Sequence, residues 1–258
     1  MLPSLMRATR QAVIALGATI ALCGALAGAV HAAESTYKVG STPTGVPFTF
    51  LDVKTNQIEG IMVDIVEAVA REEGFAVEID ATQWAALIPS LTSGKIDIIA
   101  AAMYATAERA KVVAFTEPVY TYGEGLFVAK DDGGTYQSLD DLAGKTVGVQ
   151  VGTAYYDVLR DSGKFKEVKV YDSIADIMRD VALGRIDAGF GDRPIVAYQL
   201  SKGASPVRLV EEYVSVITGS VALAVRQDDP DLLAKLNDGI EKLKSSGELD
   251  QIVAKWGV

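Results

Sequence analysis

Apolar positions along this chain switch repeatedly between a helical and a strand period. From 61 to 73, Ile61, Ile65, Ala68 and Val69 share one helical face, Asp64, Glu67 and Arg71 lie off it, and Gly74 supplies the stop. Phe75 to Ile79 alternates as a strand, and Trp84 to Thr92 reads as a helix closing near Gly94. Ile96, Ile98 and Ile99, followed by three alanines, read as a strand buried on both faces. Thr106 is placed to cap a helix with Glu108 and Arg109 in its first turn, ahead of a second apolar run from Val112 to Phe115. Further strands are predicted at 126–129, 146–149, 167–171, 188–191 and 220–225. Helices open at Ser138, at Gly152-Thr153, at Ser173, after Asp192 and at Asp229-Pro230, and a last short one runs through Leu249 and Trp256. Near the start, 37–41 is a strand, and 42–47, with two prolines and a glycine, reads as a loop without regular structure. Helix and strand in turn indicate α/β layers with a largely parallel sheet.

The chain also echoes itself. Leu91-Thr92-Ser93-Gly94-Lys95-Ile96-Asp97 returns as Val181-Ala182-Leu183-Gly184-Arg185-Ile186-Asp187, each time a helix ending in glycine, a cation, and a strand beginning. The spacing is too long for a solenoid and suits two similar α/β lobes.

The first residues follow different rules. Arg7 and Arg10 precede an uncharged, mostly apolar run from Ala12 to Val30, and Val30-His31-Ala32 places small side chains where a signal peptidase reads. Residues 1–32 are therefore expected to be a signal peptide rather than a membrane anchor, and the chain to be exported. Leu22 before Cys23 argues against a lipid-anchored form. Loss of this segment removes the only cysteine and the only histidine, which excludes disulfides, Cys or His nucleophilic dyads and His/Cys zinc sites. It also takes the net charge from −10 to −12 by removing two arginines, a balance that argues against nucleic acid and anionic membranes.

Two charged residues carry alternatives. Arg109 reads as a solvated surface charge or as a cation aimed at a carboxylate, since arginine forks and helix N-termini both hold such groups. Asp192, before Arg193-Pro194, reads first as a plain helix N-cap.

Taken in order, several stretches resemble the periplasmic solute-binding proteins of the polar amino-acid uptake family, bacterial solute-binding family 3. They are Val39-Gly40 with Pro47-Phe48-Thr49-Phe50, Glu59-Gly60-Ile61-Met62-Val63-Asp64, Trp84-Ala85-Ala86-Leu87-Ile88-Pro89-Ser90-Leu91 and Thr106-Ala107-Glu108-Arg109-Ala110. Phe115-Thr116-Glu117-Pro118-Val119-Tyr120, Gly148-Val149 with Gly152-Thr153, Gly191-Asp192 and Lys255-Trp256 complete the pattern. The resemblance implies a two-lobed periplasmic-binding-protein type II fold, each lobe a mostly parallel sheet flanked by helices, joined by two crossing strands. One lobe would comprise 33–122 and 222–258, the other 123–221. It further implies a monomer without cofactor that captures an amino acid or amino-acid-like solute by lobe closure and delivers it to an inner-membrane ABC permease from the periplasm.

By the same resemblance Arg109 would grip a ligand α-carboxylate, helped by N–H groups near Tyr104 and Thr153. Asp192 and the carbonyl of Ala102 would take an α-ammonium, and Trp84 would stack on the ligand. A zwitterion leaving water needs an opposite charge at each end. Thr42, Gly45, Trp84, Gln150 and Tyr155 align with side-chain positions and carry no charge, and Gly45, Ala101 and Ala102 leave room. With Met103 and Tyr104 they suggest a neutral ligand larger than alanine or serine, aromatic or an amino-acid conjugate. The alternatives are an exported lyase of the prephenate/arogenate dehydratase type on the same fold, or a soluble ligand sensor. The lyase would need a carboxyl or tyrosine as its acid.

Overall fold

The computed structural model describes residues 35–203 and 205–257, so the signal peptide expected at 1–32 lies outside the described residues. In chain order the first elements are β1 (Thr36–Ser41), β2 (Thr44–Gly45), β3 (Thr49–Asp52), β4 (Gln57–Glu59), α1 (Ile61–Glu73), β5 (Ala76–Ala81), α2 (Leu87–Thr92), β6 (Ile98–Ile99) and β7 (Val113–Phe115). Then come β8 (Tyr120–Ala129), β9 (Thr146–Gln150), α3 (Ala154–Asp161), β10 (Glu167–Tyr171), α4 (Ile174–Ala182), β11 (Ala188–Asp192) and α5 (Arg193–Ser201). Last are β12 (Val207–Leu209), β13 (Thr218–Val221), β14 (Ala224–Arg226), α6 (Pro230–Ser246) and α7 (Glu248–Lys255).

The strands form two main sheets, β5-β1-β6-β14-β7 and β10-β9-β11-β8-β12, the second with β13 added beside β8. In each sheet three strands are parallel, β5/β1/β6 and β10/β9/β11, and the other pairs are antiparallel. The sheets are thus mixed, with the parallel part where helical crossovers join the strands. The antiparallel strands belong to the segments that leave the first sheet at β8 and return to it at β14.

The sequence echo has a structural counterpart. Gly94 and Gly184 both adopt a left-handed φ, 73° and 66°, and end their helices through N–H bonds to Leu91 and Val181. Asp97 and Asp187 then each accept the N–H of a neighbouring parallel strand, Lys38 at 2.9 Å and Thr146 at 2.7 Å. The same backbone carbonyls, of Lys38 and Thr146, take back the N–H of Asp97 and Asp187. One device therefore starts the third parallel strand of both sheets.

Several sequence expectations change. Arg109 lies not in a regular helix but in one 3-10 turn, Arg109–Lys111, because the following apolar run pairs with β14 as an edge strand. Thr106 still accepts the Arg109 N–H, at 3.2 Å. The segment 42–47 is not wholly irregular: β2 joins β3 and β4 in a small antiparallel sheet. The strand expected at 220–225 breaks at Ala222-Leu223, where the chain passes from β13 to β14. The strand expected at 126–129 begins six residues earlier, as β8. The closing helix α7 is tied to α1, with the Lys255 ammonium and the Trp256 indole both donating to Asp64 at 2.8 Å. Among the described residues no helix is long and apolar enough to cross a membrane.

Candidate functional site

The carboxyl ends of the parallel strands converge. Thr42 follows β1, Trp84 follows β5, Ala101 and Ala102 follow β6, Gln150 ends β9 and Asp192 ends β11. Ligand crevices of α/β sheets lie at this end, where loops leave the strands with their polar groups unpaired. Two adjoining cavities occupy the cleft, sharing Trp84, Ala102 and Asp192 as walls. One, of about 200 Å³, is lined by Tyr104, Arg109, Tyr122, Thr153, Ala154 and Tyr155 besides the shared three. The other, of about 350 Å³, adds Thr42, Thr44, Gly45, Phe48, Thr49, Ala101, Gln150, Ile174 and Ile195. Of the residues singled out from the sequence, Thr42, Trp84, Ala102, Tyr104, Arg109, Gln150, Thr153, Tyr155 and Asp192 line this space, as do Gly45 and Ala101.

The smaller cavity is the charged end. Arg109 is half-buried, and its guanidinium donates to the carbonyls of Tyr104 at 2.8 Å and Gly152 at 2.9 Å. The second bond spans the cleft, from the first sheet's side to the loop after β9. The guanidinium also lies over the Trp84 ring, 5.5 Å from its centroid. Burial lowers the Arg109 pKa, with Asp192 acting in the opposite sense. Among the described residues Arg109 has no carboxylate partner within ion-pair distance, and its burial and two carbonyl bonds set it apart from a freely solvated surface charge. Met103 and Ala105 pair with Ala222 and Ser220 through bonds that flank Tyr104. The N–H and carbonyl of Tyr104 therefore face the other way, toward Arg109. The Tyr104 side chain does not enter the cleft as a ligand-facing hydroxyl. Its ring covers Gly219, where any Cβ would collide with it, and its hydroxyl donates to the Tyr122 carbonyl at 2.8 Å.

Asp192 occupies the N-cap position of α5, yet its side chain caps no helix N–H. Its carboxylate sits in the cleft, where burial raises its pKa to about 7 against the opposing pull of Tyr122, Arg109 and Tyr155. Ala102 holds a left-handed φ of 53°, a conformation side chains rarely adopt, and its carbonyl accepts the Tyr122 hydroxyl at 3.0 Å. The Tyr155 hydroxyl is buried with no hydrogen-bond partner. A buried polar group in that state calls for one. Thr153 caps no N–H of α3 with its side chain, which instead donates to the Gln150 carbonyl at 2.9 Å.

The larger cavity is neutral. Thr42 and Thr49 share a hydroxyl–hydroxyl bond of 2.6 Å, and the Gln150 amide donates to the Asp172 carbonyl at 2.8 Å. Phe48, Ile174 and Ile195 supply apolar walls. Met103 belongs elsewhere: it is buried in a neighbouring recess behind Trp84 with Ala85 and Ile88. Sequence reasoning missed Tyr122, Thr44, Thr49, Ile174 and Ile195. Ile174 is the first residue of α4 and Ile195 lies in the first turn of α5, three residues after Asp192.

The profile of the bacterial extracellular solute-binding proteins, family 3, matches residues 37–258. A putative ABC transporter arginine-binding protein 2 of Escherichia coli K12 is 33% identical over 226 residues, 87% of this chain and 91% of that protein. The L-cystine-binding protein TcyJ of the same strain is 31% identical over 223 residues, 86% of this chain and 83% of that one. The structure of an ancestral arginine-binding protein bound to glutamine superposes with a TM-score of 0.78 at 33% identity, covering 87% and 98% of the two chains. The two lobes with their mixed sheets are the type II periplasmic-binding-protein fold. With a match that runs from β1 to the end of the chain, this protein belongs to the bacterial extracellular solute-binding proteins, family 3.

Proposed function

We propose that this protein captures a free amino acid with a neutral side chain and hands it to an ABC permease. The observation that carries the reading is the pair of opposite charges in one cleft. Arg109 and Asp192 both face the smaller cavity, and neither has an ion-pair partner among the described residues. Unpaired charges in a cleft are costly unless a ligand supplies the counter-charges, and a zwitterion supplies both at once. Arg109 would hold the carboxylate with its remaining donors, helped by N–H groups at Tyr104 and Thr153. Asp192 and the Ala102 carbonyl would hold the ammonium, and Trp84 would flank the ligand.

The larger cavity would receive the side chain. Thr42, Gly45, Gln150 and their neighbours offer it hydroxyl, amide and apolar surface and no charge beyond Asp192, so cationic and acidic side chains both lack a partner there. Residues 33–122 with 222–258 would move as one lobe and 123–221 as the other, closing over the ligand in the periplasm. Relatives named as an arginine-binding protein and as an L-cystine-binding protein support an amino-acid role in ABC uptake. The lyase alternative would need a proton donor separate from the ammonium anchor. Asp192 is the sole acidic residue lining the two cavities, and burial holds the tyrosines there, Tyr104, Tyr122 and Tyr155, well above their ordinary pKa, which makes them weak acids.

Titration calorimetry with the twenty common L-amino acids tests the reading, alongside mass spectrometry of whatever small molecule co-purifies. Binding of one or more neutral amino acids, with no product formed on incubation, is the expected result. Failure of all twenty to bind would refute it.

A further inference from the structure

Tyr122 stands on β8, a strand that runs from one lobe to the other, and pairs in register with Gly219 on the returning strand β13. It is held at both ends. Its carbonyl accepts the Tyr104 hydroxyl at 2.8 Å, and its own hydroxyl donates to the Ala102 carbonyl at 3.0 Å, with the two tyrosine rings 4.9 Å apart. Its ring lines the charged cavity on one side. On the other it lines a separate groove of about 950 Å³ with Tyr120, Gly123, Arg193, Pro194, Ala197 and Tyr198. One side chain is therefore the wall between the cleft and the space behind the crossing strands.

The hydrogen-bond count around it is unbalanced. Tyr122 has one proton, already given to Ala102. The Asp192 carboxylate, the second lone pair of the Ala102 carbonyl and the oxygens of Tyr122 and Tyr155 all accept. The groups facing Asp192 are Arg109, Tyr122, Tyr155, Tyr104 and Glu124. Glu124 is spent on Tyr213, Val216 and Ile217, and the Tyr104 hydroxyl on Tyr122. Arg109 gives protons to the Tyr104 and Gly152 carbonyls. The Tyr155 hydroxyl keeps one proton to give, and even with it acceptors outnumber donors where the ligand's ammonium would sit, while an ammonium brings three protons.

We propose that Tyr122 is a positioning residue for the ligand's ammonium, fixing the Ala102 carbonyl from the crossing strand and accepting from the ammonium at its own oxygen. The proposal rests on the amino-acid reading above and adds a residue to it. It links the cationic end of the ligand to a strand that must bend when the lobes close.

The test uses the tightest of the twenty L-amino acids for the wild type, together with its des-amino counterpart, which keeps the carboxylate and side chain. Tyr122→Phe keeps the ring and removes the hydroxyl. It should weaken the amino acid by about tenfold or more, while the des-amino compound changes by less than about threefold, within the range of a site that never used the hydroxyl. Tyr122→Leu should show the same discrimination if Tyr122→Phe does not fold. Tyr120→Phe, two residues away on the same strand, should alter neither. Equal losses for the two compounds, or no loss for the amino acid, would overturn the proposal. A wild type that binds none of the twenty would instead overturn the amino-acid reading, and this inference with it.

Discussion

The two ends of the cleft solve different problems with different means. At one end Arg109 and Asp192 stand half-buried, with pKa values pushed toward their neutral forms by burial. At the other, Thr42 and Thr49 bond each other, Gln150 bonds a nearby backbone carbonyl, and Thr44, Phe48, Ile174 and Ile195 line the rest. Under the amino-acid reading proposed above, the charged end would be stabilised by a zwitterion and would select a ligand class steeply. The neutral end would offer many small contacts, each worth little, and so tune among members of that class. Losses of affinity should therefore be large and general at the first end, and small and selective at the second.

Breaking the charged end gives the largest effects. Arg109→Ala should weaken every amino acid that binds by roughly 2–5 kcal/mol, or about 30- to several-thousand-fold, because the ligand carboxylate would be left unpaired in the cleft. The loss should be much the same for small and large side chains when read by calorimetry. A loss confined to one ligand would place Arg109 at the specificity end and dissolve the contrast.

Asp192→Asn should cost a comparable factor in affinity and yet stabilise the ligand-free protein. The sign follows from the raised pKa. With about 7 in the folded cleft against 3.8 for the free side chain, the folded state binds the extra proton between those values. Stability is thus greatest below pH 4 as far as this group is concerned, and is lost as pH rises toward 7. An asparagine removes that loss, so melting of the ligand-free variant at pH 8 should rise by several degrees over wild type. No rise would mean that Asp192 is not held against its charge.

Proton competition sharpens the same point with a gentler perturbation. An ammonium needs the ionised carboxylate, so wild-type affinity should fall by up to about tenfold per unit as pH drops below 7. In Asp192→Asn that slope should vanish. Calorimetry from pH 5 to 8 in one ionic strength reads both. A persistent slope in the variant would assign the titration to another group.

The contrast between the ends also explains what could be read from the chain alone. The pairing of Arg109 and Asp192 in one cleft was legible only through the family resemblance that Thr106-Ala107-Glu108-Arg109 and Gly191-Asp192 carry; taken alone, each residue also read as a surface charge or a plain helix cap. The alternation of periods likewise exposed α/β layers, and the echo around Asp97 and Asp187 exposed the repeated strand start. What stayed hidden depends on pairing at a distance. Val113–Phe115 reads equally as helix or strand until β14 claims it. Thr44 and Thr49 face the cleft only because β2 and β3 fold against each other, despite the prolines nearby. Tyr122 is a tyrosine in an apolar strand until Ala102, twenty residues earlier, turns its carbonyl through a left-handed φ to meet it.

The smallest expected effect lies at the neutral end, and Gly45 reads it. Its backbone lies outside the left-handed range, and an added Cβ would stand 3.3 Å from the Thr42 hydroxyl and 3.4 Å from the Thr49 carbonyl, tight but without overlap. A side chain there would enter the larger cavity, which Gly45 lines. Gly45→Phe should therefore weaken a bulky neutral amino acid such as phenylalanine relative to alanine by about tenfold, the scale of a few methylenes gained or lost in a pocket. Binding of alanine itself should hold or improve, because Arg109 and Asp192 are untouched. Circular dichroism and melting of the ligand-free variant establish that it folds, and Gly45→Ala gives a milder step in the same direction. If Gly45→Phe folds and leaves the phenylalanine-to-alanine ratio unchanged, residue 45 does not border the side-chain space. If it instead weakens both ligands equally, the two ends are not separable and the comparison fails at its softer side.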